Sequence, residues 1–385
     1  AAPVVAAASA PGASIAASAP GASIAALETA KAAALETAKA AALETAKAAA
    51  ALEEIKVAQE EVVQVRKEIA EKVSYTRSFA KNVQAGVQQS IFSRMSNFMI
   101  PKGFTAGVAA GDEDASMEKG VWIDGFVAKG KGKGENSYKS NSQGGTIGFD
   151  VEVKDDVTMG LAYSKVFAKI KSNDKNMSLS DINYDAVSFY AQVEMDKFIS
   201  DSVLSLSRSA GKNKSKNGSG KSKATGYSAE TSLSYIGKLS DHLILMPFAS
   251  IGYMNNNNKA YKETGANNYS LSLGSSSSAF LNNKMGVKIL APMKIFESVK
   301  VIPSLNASVS HASNLKGVTD QKINIQYQGK SYTEKMNDDD SDVSYDLGAG
   351  ILVKRENIEL QAGYNCTLKS KYTNHQGSLK LRINL

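Results

Sequence analysis

Ser74–Phe98 reads SYTRSFAKNVQAGVQQSIFSRMSNF. The stretch holds no proline and reads as the end of a helix, which Pro101 and Gly103 stop. Its polar residues Asn82, Gln84, Gln88, Gln89, Ser90, Ser93, Arg94, Ser96 and Asn97 are spread around the helix, with Phe79, Val83, Val87, Ile91 and Phe92 between them. A helix without a broad apolar stripe needs polar or wet surroundings, and everything after Gly120 reads as strand and turn. The expectation is a helix held inside a barrel, whose lumen is polar and hydrated. At 1.5 Å per residue Lys81–Phe98 spans roughly 27 Å, close to the roughly 25 Å apolar band of a membrane barrel.

Upstream the chain is of low complexity. SAPGASIAA at Ser9–Ala17 is repeated without change at Ser18–Ala26. Pro11, Gly12, Pro20 and Gly21 make residues 1–26 a linker or passenger remnant. LETAKAAA then starts at Leu27, Leu35 and Leu43, opening a helical stalk over 27–73. An eight-residue period overshoots two turns by roughly 80°, so the leucines spiral around the helix and build no lasting seam. Ile55, Val62 and Ile69 allow a short heptad face, and an amphipathic spacer is the preferred reading. The chain opens AAPVV, without Met or a signal-type apolar region, and is read as a mature or excised product.

After Gly120 the period of the apolar residues changes to two. Ile147, Phe149, Val151 and Val153 alternate with Thr146, Gly148, Asp150 and Glu152. Val343, Tyr345, Leu347, Ala349, Ile351 and Val353 alternate with Ser344, Asp346, Gly348 and Gly350. Strands are predicted over 120–129, 145–154, 156–168, 183–195, 201–209, 226–238, 242–254, 279–291, 298–311, 342–354, 356–368 and 374–385. They number twelve, an even count of the kind single-chain bacterial barrels use. Connections after even strands are short and most after odd strands are long, the outer-membrane pattern with long loops outside. No window has the roughly 18–20 apolar residues of a membrane helix, a test to which barrels are blind. The fold class is therefore an all-β transmembrane barrel over 120–385. A pore helix at 74–99 and a link at 100–119 precede it. Tyr163, Tyr184, Tyr235, Tyr253 and Tyr372 near strand ends are girdle candidates.

Ordered along the chain, several segments resemble the translocator domain of autotransporters, the type V secretion proteins. QSIFSRMSNF (Gln89–Phe98) is similar to the end of the pore helix. VWIDGF (Val121–Phe126) and GGTIGFDVEV (Gly144–Val153) are similar to the opening strands. LMPFASIGYM (Leu245–Met254) and VSYDLGAGILV (Val343–Val353) resemble later ones. HQGSLKLRINL (His375–Leu385) looks most like the last strand of rickettsial surface cell antigens. It ends on Leu385, where the family usually has an aromatic. The resemblance implies a twelve-stranded barrel that exports and anchors an N-terminal, adhesin-type passenger at the surface of the outer membrane, the helix staying in the pore. It also implies barrel-insertion machinery that reads the last strand, Leu379, Leu381, Ile383 and Leu385. The barrel is expected to be monomeric.

Candidate site residues follow from that layout. On the pore helix they are Asn82, Gln88, Gln89, Arg94 and Asn97. Arg94 is expected to pair with lumen carboxylates among Asp150, Glu152, Glu194, Glu230 and Asp346. Neither Asn82 nor Asn97 begins the Asn–Asn pair of the self-cleaving subgroup, so self-cleavage is not assigned. Lys131, Lys133, Lys212, Lys214, Lys216, Lys221 and Lys223 are assigned to basic outer loops in a chain of net charge +7. There they would meet outer-membrane lipid, lipopolysaccharide phosphates or a host-cell surface. Nucleic acid is disfavoured because no aromatics interleave to stack on bases. The alternative function is a passenger-less adhesin or porin-like barrel acting through those loops. A hydrolase would need His311 with Ser310 or Ser313, and a solvated rim histidine is the preferred reading. Asp338–Asp340 with Asp342 lacks calcium-loop spacing. No enzyme activity, metal or cofactor is expected, and Cys366 is read as a small packing residue.

Overall fold

The computed structural model describes residues 20–97, 119–133, 137–172, 179–214, 218–265, 270–296, 298–316, 321–327, 330–336 and 342–385. Two compact units divide the chain, Ala1–Lys67 and Glu68–Leu385.

In the first unit the described residues are helical from Pro20, where α1 (Pro20–Asn97) begins. The expectation of a linker to residue 26 is corrected here: Pro20 starts the helix, because a proline at the first position has no intrahelical N–H bond to lose. Leu27, Leu35 and Leu43 are all more than half exposed, as an eight-residue spiral requires. Each repeat threonine, Thr29, Thr37 and Thr45, donates to the carbonyl four residues back at 2.8 Å. The side chains of Ile55, Val62 and Ile69 lie outside the described residues.

The second unit is a closed antiparallel barrel. In chain order its strands are β1 (Lys119–Gly132), β2 (Tyr138–Lys154), β3 (Val157–Ser172), β4 (Leu179–Met195), β5 (Phe198–Lys214), β6 (Ser219–Tyr235), β7 (Gly237–Ser240), β8 (Leu243–Asn258) and β9 (Tyr261–Thr264). There follow β10 (Ser270–Leu273), β11 (Ser276–Leu290), β12 (Met293–Phe296), β13 (Val299–Lys316), β14 (Gln321–Tyr327), β15 (Lys330–Met336), β16 (Asp342–Arg355), β17 (Ile358–Lys369) and β18 (Tyr372–Asn384). The wall is the twelve long strands expected, β1–β6, β8, β11, β13 and β16–β18, and the short strands extend their ends. The first and last strands pair from Gly120↔Asn384 to Gly132↔Tyr372, which closes the cylinder and removes both edges.

Short turns join the wall strands at one end. Asp196 and Glu356 take φ of 52° and 49° in two of them, the left-handed geometry whose twist fits a tight hairpin. At the other end the sequence suggested long loops, and the structure corrects this. β1 continues to Gly132 and β2 begins at Tyr138; β5 continues to Lys214 and β6 begins at Ser219. Lys, Ser and Gly give no apolar alternation, but ladder hydrogen bonds do not require one, so the hairpins run on past the apolar belt.

The belt itself faces outward: Ile123, Phe149, Leu161, Phe189, Leu204, Leu233, Ile251, Leu347 and Leu381 are exposed on the outer wall. Tyr163, Tyr235 and Tyr253 share that face, and Tyr227 and Tyr253 lie 5.9 Å apart. Tyr184 and Tyr372 were expected there and instead are buried inside; Tyr372 stacks on Tyr138 at 6.0 Å. Their strands carry apolar residues on both faces, so alternation alone cannot say which face is inner. Cys366 is half-buried on the outward face of β17.

Candidate functional site in the barrel lumen

The helix lies against one side of the lumen. Val83, Val87, Ile91 and Met95, four residues apart, are buried, with Ile91 at 0 % exposure. They pack with inward residues of β1–β4, including Trp122, Phe126, Ala162, Val166, Ile170, Ile182 and Tyr190. The helix therefore has a narrow apolar stripe that the scatter of polar residues concealed. Burying each such side chain, measured against a hydrated lumen, contributes about 1.5–3 kcal/mol.

Two wall groups hold helix carbonyls. Lys380 of β18 donates to the Ser90 carbonyl at 2.7 Å, and Gln192 of β4 donates to the Met95 carbonyl at 2.9 Å. The second bond satisfies an acceptor in the helix's last turn, where intrahelical partners run out. Gln192 also donates to Asp201 at 2.7 Å. The Ser90 hydroxyl donates to Asp124 of β1. Lys380 lies 3.7 Å from the same carboxylate and 5.2 Å from the centre of the Trp122 ring. Asp124 and Lys380 are register partners, so this junction joins the helix to the β1–β18 seam.

A second network flanks the seam. Arg382 reaches Asp150 at 3.0 Å and Glu359 at 3.4 Å. Tyr190 donates to Asp150 at 2.9 Å and accepts from the Trp122 ring nitrogen at 2.7 Å. Gly148 and Gly160 make room for these rings, since a Cβ at either would overlap Trp122 or Tyr190.

Across from the helix's apolar stripe is a cavity of about 290 Å³. Serines and asparagines such as Ser232, Ser250, Asn282, Asn306 and Asn365 line it. Within it Lys284 pairs with Asp346 at 3.8 Å, and Ser250 donates to Glu230 at 3.2 Å. Towards the short-turn end the inner wall turns apolar, with Ile199, Ile236, Ile244, Met246, Leu290, Ile302 and Leu352 clustered. The lumen is thus polar in its middle and apolar in two patches.

The structure places Asp150, Glu230 and Asp346 inside, with Glu152 and Glu194 half-buried near the short turns on the same strand faces. The side chains of Asn82, Gln88, Gln89, Arg94 and Asn97 lie outside the described residues. The ions found on Asp150 and Asp346 are Arg382 and Lys284, both from the wall. Sequence reasoning missed Asp124, Gln192, Asp201, Lys380 and Arg382. Their signal was present, because each sits on the polar phase of an alternating strand. Lys131, Lys212, Lys214, Lys221 and Lys223 lie on strands, not in loops, and are exposed, as is Lys133 just past β1; Lys216 lies outside the described residues. Leu379, Leu381, Ile383 and Leu385 face outward. His311 is exposed, 3.1 Å from the Ser313 hydroxyl. Asp338–Asp340 lie outside the described residues, and among the described residues no cluster of His, Cys, Asp or Glu could hold a metal.

A closed twelve-strand wall, a helix inside it and a lipid-facing belt now stand together with a sequence match: the profile of the family described as Autotransporter beta-domain covers residues 121–365. The chain belongs to this family. The autotransporter chain is 30% identical over 327 residues to outer membrane protein A of Rickettsia conorii, covering 79% of this chain and 16% of that protein. It is 31% identical over 351 residues to the putative surface cell antigen sca1 of the same organism, covering 86% and 18%. It therefore spans less than a fifth of the length of these relatives. The translocator domain of autotransporter NalP from Neisseria meningitidis superposes with a TM-score of 0.59 at 13% identity, over 79% of this chain and 96% of that one. The beta domain of the Bordetella autotransporter Brka does so at 0.52 and 13%, over 70% and 100%. Those identities speak for the fold alone. Family and fold place the chain in the bacterial outer membrane as the translocator part of an autotransporter.

Proposed function

We propose that this barrel exports a passenger attached ahead of α1 and then keeps the 83–95 part of the helix as plug and tether. The observation that carries the reading is the pair of wall-to-helix bonds, Lys380 to Ser90 and Gln192 to Met95, added to a buried Val83–Val87–Ile91–Met95 stripe. A helix that merely passed through would gain nothing from contacts specific to one axial position. No chemical step is required: the lumen works by shape, by hydrated Ser and Asn surface, and by charges already neutralised within the wall. The passenger is read as a surface adhesin or antigen, in keeping with relatives named as surface antigens, and the tract 20–67 as its stalk.

The test is direct. An epitope fused ahead of Ala1 is expected to be reached by antibody on intact cells. Chains lacking residues 20–97 are expected to conduct ions strongly in planar bilayers while full chains stay nearly closed. An epitope that remains inside, or equal conductance from both chains, overturns the reading.

A further inference from the structure

We propose that the outward face of β1–β6 at its long-hairpin end binds the phosphates of a phosphorylated glycolipid in the outer leaflet. The inference rests on the outer-membrane placement of the barrel and not on its passenger role.

The ladder registers set the outward side chains in rows across the strands. Lys165, Asp185 and Arg208 form one row on β3, β4 and β5. Lys165 and Arg208 approach the two oxygens of the same carboxylate, at 3.2 and 3.3 Å, leaving the trio with a net positive charge. Four residues further out the row is Lys169, Asp181 and Lys212, again two cations to one carboxylate. Beyond that, Lys139 and Lys171 are direct register partners without an acid between them.

Height decides what such a field meets. Arg208 lies ten residues along β5 from Phe198. At about 3.3 Å per residue and a tilt of about 40°, ten residues climb roughly 25 Å, the thickness of the apolar band. Immediately below are Leu161, Val187, Phe189, Leu204 and Leu206, all exposed to acyl chains. Phe167 stands exposed beside the first row, with the Lys165 ammonium 5.6 Å from its ring centre. Ten residues from the short turns on the opposite arc, β13, β16 and β17 carry Val309, Tyr345 and Leu368 instead. At that height the basic rows therefore lie on β3–β5, and the compared positions of β13, β16 and β17 are uncharged.

Unneutralised cations at the edge of a low-dielectric band attract the anions available at that depth. A zwitterionic phospholipid brings its own ammonium beside each phosphate. A phosphorylated glycolipid brings phosphates without one, on sugars level with the outer rows and with acyl chains that fit the leucine and phenylalanine surface below. A soluble polyanion carries no acyl chains and gains nothing from the apolar surface below.

The experiment uses the full chain in neutral detergent micelles, with fluorescent bisphosphorylated lipid A, the same glycolipid without phosphates, and heparin as a soluble polyanion. The expected result is saturable binding of the phosphorylated lipid only. Lys165→Gln with Arg208→Gln should weaken it roughly thirtyfold, while Lys165→Arg with Arg208→Lys, or Lys238→Gln at the short-turn end, keeps it. If the double glutamine variant does not fold, judged by its heat-induced gel shift, Lys169→Gln with Lys212→Gln replaces it. Equal binding of the unphosphorylated glycolipid overturns the proposal. So does unchanged binding by the glutamine variants, or heparin binding that depends on the same residues.

Discussion

Replacing Lys380 by methionine removes the wall cation that faces both Asp124 and the Ser90 carbonyl. Met keeps the length and most of the volume of the stem over Trp122, so the change is mainly one of charge. Asp124 is 2% exposed and would be left in that place without its counter-ion. Breaking a buried pair from one side costs about 3–5 kcal/mol, whereas removing both partners is near neutral. Losing the bond to the helix carbonyl adds about 1–2 kcal/mol. The expected order of stabilities is therefore wild type first, then Asp124→Asn with Lys380→Met about 1–2 kcal/mol lower for the lost carbonyl bond, and Lys380→Met alone lowest. Urea titration of the refolded barrel, followed by the gel shift between folded and heated forms, reads the order directly. A third arm isolates the helix: in a chain lacking 20–97 the lumen admits water, Asp124 is rehydrated, and Lys380→Met should cost less than half as much. A coupling between Asp124 and Lys380 below about 1 kcal/mol would refute the reasoning, as would a cost unchanged by deleting the helix.

Ile91→Ala empties a fully buried site on the docked stripe, and should weaken helix retention by about 2–4 kcal/mol, seen as longer open events in single-channel recordings. Gln192→Leu should do so by about 1–2 kcal/mol, since it leaves the Met95 carbonyl without its donor, and Gln192→Glu should not rescue it. Gly148→Val would drive a side chain into the Trp122 ring, so the folded band on unheated gels should be lost, while the same change at outward Gly125, with open space around it, should be tolerated. His311→Ala should leave growth, export and any esterase background of membranes unchanged; a loss of hydrolysis in purified protein would reopen the enzyme reading.

Much of the architecture was legible in residue order. Period-two alternation marked the twelve wall strands, because a barrel wall between lipid and water must sort its side chains by face, and chain parity separated the short-turn end from the long. The LETAKAAA period required leucines that spiral, and Leu27, Leu35 and Leu43 are exposed accordingly. Strand ends were harder. Lys212, Lys214, Lys221 and Lys223 looked like loop because composition reports solvent, whereas the ladder that keeps them in strands is made by backbone groups common to all residues.

The helix shows the same division most clearly. Its sequence determined that a largely polar helix precedes a barrel and needs a wet enclosure. Only the tertiary structure decided which side chains it buries, since Val83, Val87, Ile91 and Met95 become a stripe when an apolar arc of β1–β4 lies opposite. Partner choice likewise had to wait for closure. Asp124 and Lys380 stand 256 positions apart (380 − 124) and meet because the first and last strands pair in one register. A one-residue slip in that register would turn one of the two outward. Charge type could be read along the chain; which charges touch was fixed by how the cylinder closes.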